Sequence, residues 1–294
     1  MKTNYIEFKK QRELGEILSD TFAFLRAEFK PFFSTYLKIV GPFLLVMILA
    51  LIGYMFYIGD TFNYMLIDGG NGTSNIAIIA FVALLYIFSI IAVYVMSQST
   101  VLHYIKSYAN GKGTTDFDTI KKEVYGSFWS FIGLGILVGI SVMVGFIFCI
   151  IPGIYLYVPL VLSFSVLVFN KMSVSDAYSY CFKLVKDEWW ITFATLFIIG
   201  IIVTVATYAF AIPTVIYQYM KMGIFSGEMD AENMMGTVQD PIYIVLNIIS
   251  TLGQFILNLI SIIGAVFVYF NLNEKKNFTG TYEQIESLGK ISDI

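Results

Sequence analysis

Five polar residues inside an otherwise apolar run offer the best-spaced chemistry in the chain. Asn247, Thr251, Gln254, Asn258 and Ser261 recur at steps of four, three, four and three, the heptad seam that brings side chains onto one helix face. Amides and hydroxyls placed in this way can hydrogen-bond to neighbouring helices, each such bond contributing on the order of 0.6 kcal/mol in lipid. They can equally line a wet groove for a polar solute or a lipid headgroup. Neither use asks for a nucleophile or a general base.

Reactive groups elsewhere are sparse. His103 is the single histidine and falls near the end of a helix, where an ordinary hydrogen bond is expected. Cys149 and Cys181 are too few for a disulfide framework and have no His or Cys at metal spacing. Met220, Met222, Met229, Met234 and Met235 interleave with Glu228, Asp230, Glu232 and Asp240, but the spacing fits no calcium or copper loop, and a solvated link partly docked on the bilayer is expected. Gly111-Lys112-Gly113-Thr114 lacks the earlier glycine and the buried strand of a phosphate loop, and Asn71-Gly72-Thr73 is a short acceptor motif; both are expected to be turns. There is no Gly-x-Ser-x-Gly, no paired histidine and no glycine-rich dinucleotide turn. No catalytic, cofactor-binding or metal-ligating residue is nominated, and no enzyme and no cofactor are expected.

The elements that position these residues follow from composition. Of 294 residues 57% are hydrophobic and 13% charged, where soluble domains carry about 25% charged residues. The expected fold class is therefore all-α, a polytopic membrane helical bundle of one domain. The net charge of -3 gives no basic surplus for nucleic acid. Val124 to Asn170 holds no Asp, Glu, Lys, Arg or His, room for two crossings of roughly 20 residues each folded about Pro152-Gly153. Six transmembrane helices are placed at about 37–58, 76–96, 126–150, 154–169, 190–212 and 242–270. Residues 1–36 lack a cleavable signal pattern, so the first span is expected to direct insertion.

Two amphipathic helices, 12–30 and 173–188, flank these spans and are expected to lie on the membrane surface. The first carries Leu14, Ile17, Leu18, Thr21, Phe22, Leu25 and Phe29 on its apolar side and is expected to be broken by Pro31. The second opens with Ser173 and Asp176 spaced as a capping box. Ser19 to Phe24 resembles Ser175 to Tyr180, each just before a span, which makes an internal repeat plausible. In the third span Gly135 and Gly139, then Ser141 and Gly145, repeat small residues every fourth position, the pattern that lets helix backbones approach in lipid.

Seventeen of the 18 Lys and Arg fall on residues 1–38, the second link, the fourth link and the tail; Lys221 alone lies on the other side. By the positive-inside rule both termini face the cytoplasm. Trp129, Trp189 and Trp190 then fall at the inner boundary, and the two cysteines sit on opposite faces, roughly 30 Å apart.

Arg12-Glu13-Leu14-Gly15-Glu16-Ile17-Leu18-Ser19-Asp20, and Ile151-Pro152-Gly153-Ile154-Tyr155 through Ser173 and Ala177 to Trp190, resemble the membrane domain attached to some bacterial glycerophosphoryl diester phosphodiesterases and its stand-alone relatives. In that family hydrolysis belongs to a separate soluble barrel, so the resemblance implies the six-span topology and no catalytic residue. The expectation is a bacterial inner-membrane protein acting as a scaffold or subunit of a complex, among membrane lipids and with a membrane-protein partner or a second copy. The alternative is a transporter or lipid-handling protein using the span-six seam.

Overall fold

The computed structural model describes residues 5–66, 73–223 and 236–289. These form an all-α protein whose helices are α1 Leu14–Leu66, α2 Thr73–Asn110, α3 Phe117–Phe148, α4 Ile150–Phe169, α5 Val174–Val185, α6 Trp189–Lys221, α7 Pro241–Asn277 and α8 Thr279–Gly289. A 3-10 turn, Lys186–Glu188, joins α5 to α6, and no strand occurs among the described residues. Among the described residues six helical stretches are long and apolar enough to cross a membrane. Asn71 and Gly72 of the acceptor motif, together with Glu228, Met229, Asp230, Glu232, Met234 and Met235, lie outside the described residues.

Pro31 does not end the first helix. α1 runs for 53 residues through it, about 80 Å at 1.5 Å per residue. An interior proline costs about 3 kcal/mol by removing a hydrogen bond and crowding the previous turn. Phe24 and Phe32 are fully buried on either side of it, and burying such a ring is worth about 1.5–3 kcal/mol each, enough to hold the helix together. The 12–30 segment is thus the first third of a longer rod. Its buried side is Ile17, Thr21, Phe24 and Glu28, packed within the protein, whereas Phe22 and Phe29 point outward.

The junction of α3 and α4 is also displaced. Cys149, in extended conformation, is the single residue between them, and Pro152 and Gly153 belong to the first turn of α4. A proline fits there because the first helical amides have no partner to lose. Close packing centres on that turn: a Cβ on Gly145 would come within 3.0 Å of the Gly153 Cα, and one on Gly153 within 2.6 Å of the Phe146 ring. At Gly135 and Gly139 a Cβ would meet nothing within 4 Å. Those two glycines therefore make no tight contact inside the chain, and the close approach falls on Gly145, with Ser141 hydrogen-bonded to Tyr178 at 2.9 Å.

The local start signals act as the pattern requires. Asp116 accepts from the amides of Asp118 and Thr119 to open α3. Ser173 Oγ accepts from the Asp176 amide and donates to its carboxylate to open α5. The Gly111–Thr114 segment is a turn, with Lys112 and Gly113 at positive φ. The two segments of the suspected repeat differ in context, since Ser19–Phe24 lies inside α1 and Ser175–Tyr180 in the separate twelve-residue α5.

The chain divides into two compact units. One comprises residues 1–39, 95–201 and 259–294 and has an aromatic core: Phe8 stacks on Phe267 at 4.5 Å and meets Phe24 edge-on, while Phe24 and Phe32 pack on Tyr104 and Tyr108. Both chain ends meet here, with Lys9 ion-paired to Glu283 and Gly280 pressed so closely on the Lys9 carbonyl that any side chain would collide. The segments near the two ends are thus held together within this unit. The other unit, residues 40–94 and 202–258, packs Leu51, Met55 and Ile244 with Tyr86 and Ile248, and Gly253 admits the Phe210 ring.

Candidate functional site: a saturated polar cluster and two clefts

The seam of α7 stays partly exposed along its length. Asn247, Thr251, Asn258 and Ser261 are half-buried and Gln254 is exposed. Gln254 donates to Ser250 on its own helix at 3.2 Å. None of the five lines either of the two clefts in the first unit.

Polar and ionisable groups gather instead in the first unit. Arg12 is almost wholly buried. Its Nε donates to Asp20 at 2.8 Å, its NH1 to the carbonyls of Phe8 and Lys10, and its NH2 to the carbonyl of Glu7. The guanidinium lies 4.8 Å from the centre of the Phe267 ring, a favourable cation–π placement. Burial pulls its pKa below the usual arginine value, and the bond to Asp20 opposes that shift. The Arg12 amide donates to Asn271 Oδ1 at 2.7 Å, tying the N-terminal segment to α7.

Other buried polar groups are equally committed. Tyr104 donates to Glu28 at 2.9 Å, and Tyr36 shares a hydrogen bond with Ser97. His103 is buried with Nδ1 at 2.8 Å from the Ser99 carbonyl, the ordinary backbone bond expected of it. Ser99 meets Ser127 at 3.0 Å, and Lys106 pairs with Glu123 at 2.8 Å. The Glu274 carboxylate accepts from the amides of Gly280 and Thr281 and from the hydroxyls of Thr279 and Thr281. It thereby satisfies the exposed amides that open α8.

Two clefts open beside this cluster. One, of about 410 Å³, lies at the Gly111–Thr114 turn between Lys106 and Asp116. The other, of about 620 Å³, is walled by Ile17, Ile191, Ala194 and Trp190 and rimmed by Glu13 and Lys275. Lys275 is itself paired with Glu188 at 3.1 Å. Among the described residues no group of three or more His, Cys, Asp and Glu could hold a metal ion. The chain matches no protein-family model, no curated protein and no solved structure. The larger cleft sets apolar side chains beside charged ones.

In the second unit one polar knot stands at the start of α7. Asp240 accepts from Lys221 at 2.9 Å, from Tyr217 at 2.9 Å and from the Ile242 amide at 2.9 Å. The bond from Lys221 is the main cause that holds its pKa down to about 2. Lys221 is thus neutralised within the chain.

Sequence reasoning missed the Arg12 clamp. Its signal was Asn271, Asn273 and Glu274 immediately after an apolar run, a density of side-chain acceptors that an ordinary solvated tail does not need. Glu28, which the amphipathic pattern of 12–30 leaves off the apolar side, is nonetheless buried against Tyr104. Cys149 is exposed and Cys181 buried, both as free thiols. A full bilayer thickness does not separate them, since Cys181 lies one turn beyond Tyr178, which bonds to Ser141, and Ser141 precedes Cys149 by about 12 Å of helix.

Proposed function

We propose that this chain is a non-enzymatic, multi-pass protein of a bacterial inner membrane, with both termini cytosolic, that serves as a scaffold or subunit of a membrane complex. One observation carries this reading. The charged side chains drawn together in the first unit are spent on bonds within the chain, while large apolar side chains such as Trp129, Phe148, Ile151 and Trp190 are turned outward. A catalytic centre would need a group held in reserve; an assembling protein needs contact surface. The resemblance to the membrane domain of glycerophosphoryl diester phosphodiesterases, which we propose as the chain's kinship, supports the same reading. Lipids, a membrane-protein partner and a second copy are its proposed contacts. Chemical cross-linking in native membranes, followed by mass measurement of the detergent-released species, should give a complex of fixed stoichiometry. Recovery of a lone chain under every cross-linker contradicts the proposal.

Lipid handling is the second reading, favoured by the apolar cleft beside Trp190 and Lys275. Transfer of a fluorescent phospholipid between vesicles should fall when Ala194→Trp fills that cleft. Unchanged transfer discards it.

A further inference from the structure

Length and composition qualify α3 and α4 to cross a bilayer; their contacts do not fit a crossing. Tyr155 stands nearly two turns past the Cys149 junction, about 9 Å from the tip of the α3–α4 hairpin. Trp189 donates from Nε1 to the Tyr155 carbonyl at 3.3 Å, and the two rings stack at 5.5 Å. Trp189 directly follows Lys186, Asp187 and Glu188, so the hairpin near its tip lies beside a charged turn. A hairpin that crossed would hold its tip and that turn a bilayer apart, roughly 30 Å.

The depth of α4 along α7 points the same way. At the far end of α4, Asn170 is hydrogen-bonded to Tyr269, and Phe169 stacks on the same ring. At the near end, Glu188 pairs with Lys275, next to the Trp189 that covers Tyr155. Tyr155 and Phe169 are about 21 Å apart along α4, whereas Tyr269 and Lys275 are about 9 Å apart along α7. The two ends of α4 therefore meet α7 at levels about 9 Å apart, less than half of α4's own length, so α4 is steeply inclined to α7. A membrane that α7 traverses is one that α4 would not span.

The faces of the hairpin are sorted to match. On α3, Ile136, Ile140, Met143 and Ile147 are exposed, as are Phe148, Ile150 and Ile151 at the tip. α4 is the middle layer, with Leu160, Leu162 and Val166 buried. α5 covers it from the other side. It buries Ala177, Cys181 and Leu184 and turns Ser175, Asp176, Ser179 and Lys183 outward. The bond from Tyr178 to Ser141 fixes this charged helix beside the middle of the apolar run of α3. Charges at that depth of a crossing would be costly to bury in lipid. In an arrangement parallel to the surface they lie in water.

We propose that the α3–α4 hairpin does not cross the membrane. It rests in one leaflet, on the lysine-rich side, with the outer face of α3 and the Phe146–Ile151 tip among the acyl chains and α5 in water above it. Crossing is left to α1, α2, α6 and α7, an even number that keeps both chain ends together. The occupant of the exposed hairpin face is thus the lipid of a single leaflet, as for an amphipathic element lying at an interface. The proposal rests on the membrane residence argued above.

Native Cys149 tests it without disturbing the fold, because Cys181 is buried. In sealed membranes with the Lys221 side outward, a membrane-impermeant maleimide should label Met220→Cys and leave Cys149 at the background of the thiol-free chain. A lipid-soluble maleimide should label Cys149. A second variant, Tyr155→Cys with Cys149→Ser, should react only from the lysine-rich side. Labelling of Cys149 or of Tyr155→Cys from the Lys221 side overturns the proposal. A protein that washes out of the membrane at alkaline pH would fail the membrane reading itself, before any thiol is counted.

Discussion

Arg12 shows why a charged residue near the start of a membrane protein need not face water. Its side chain is used by Asp20 and three carbonyls, and its amide by Asn271. Removing one partner of a buried charged pair costs about 3 kcal/mol or more. Arg12→Ala should lower the unfolding free energy in detergent by about that amount, read from thermal or denaturant unfolding. Arg12→Lys should recover only part of it, since a single ammonium cannot fork to several acceptors. Asp240 makes the complementary prediction. Its folded pKa is depressed to about 2 by the bond from Lys221, below the ordinary carboxylate value of about 3.9. Its contribution is therefore complete above the ordinary value and is lost as pH falls through the folded one. Unfolding midpoints followed from neutral pH down to about 2 should drop at the acid end, and Asp240→Asn should flatten that acid limb while lowering the plateau.

At the scale of the element, caps and turns were legible because they are decided by a few adjacent residues. Ser173 with Asp176 and the Gly111–Thr114 turn both behave as their spacing requires. Pro31 was not legible, since the continuity of α1 depends on rings of α2 that pack on Phe24 and Phe32, far away in the chain. An exposed proline inside a continuous helix is a removable defect. Pro31→Ala should raise stability by about 1–3 kcal/mol; a loss would mean that the proline supplies a bend the fold needs. The small residues of α3 separate in the same way. Gly153→Val must displace the Phe146 ring and should cost about 1–3 kcal/mol by overpacking, whereas Gly139→Ala, facing open space, should be neutral or mildly stabilising. Equal effects in the two variants would contradict the assignment of the close approach to the Cys149 junction.

Across the whole molecule, composition and the spacing of apolar runs made the all-α membrane class readable, because a chain with 13% charged residues cannot cover a soluble surface. The polar seam was readable as a pattern, but its surroundings were not. A heptad step places Asn247, Thr251, Gln254, Asn258 and Ser261 on one face but says nothing of what that face meets, and the structure leaves it half-buried and lining neither cleft. The polar centre lies instead where the two chain ends meet, a contact between residues more than 250 positions apart that no local window can register. That meeting also supports the proposed topology, which has an even number of crossings. The account stands on the two ends sharing the lysine-rich side while Lys221 lies on the other. Its most direct test is an epitope fused after Ile294, together with a cysteine at Met220, in sealed membranes probed from outside. The account predicts that the cysteine is labelled while the epitope stays protected until the membrane is opened; both reached, or both protected, would contradict it.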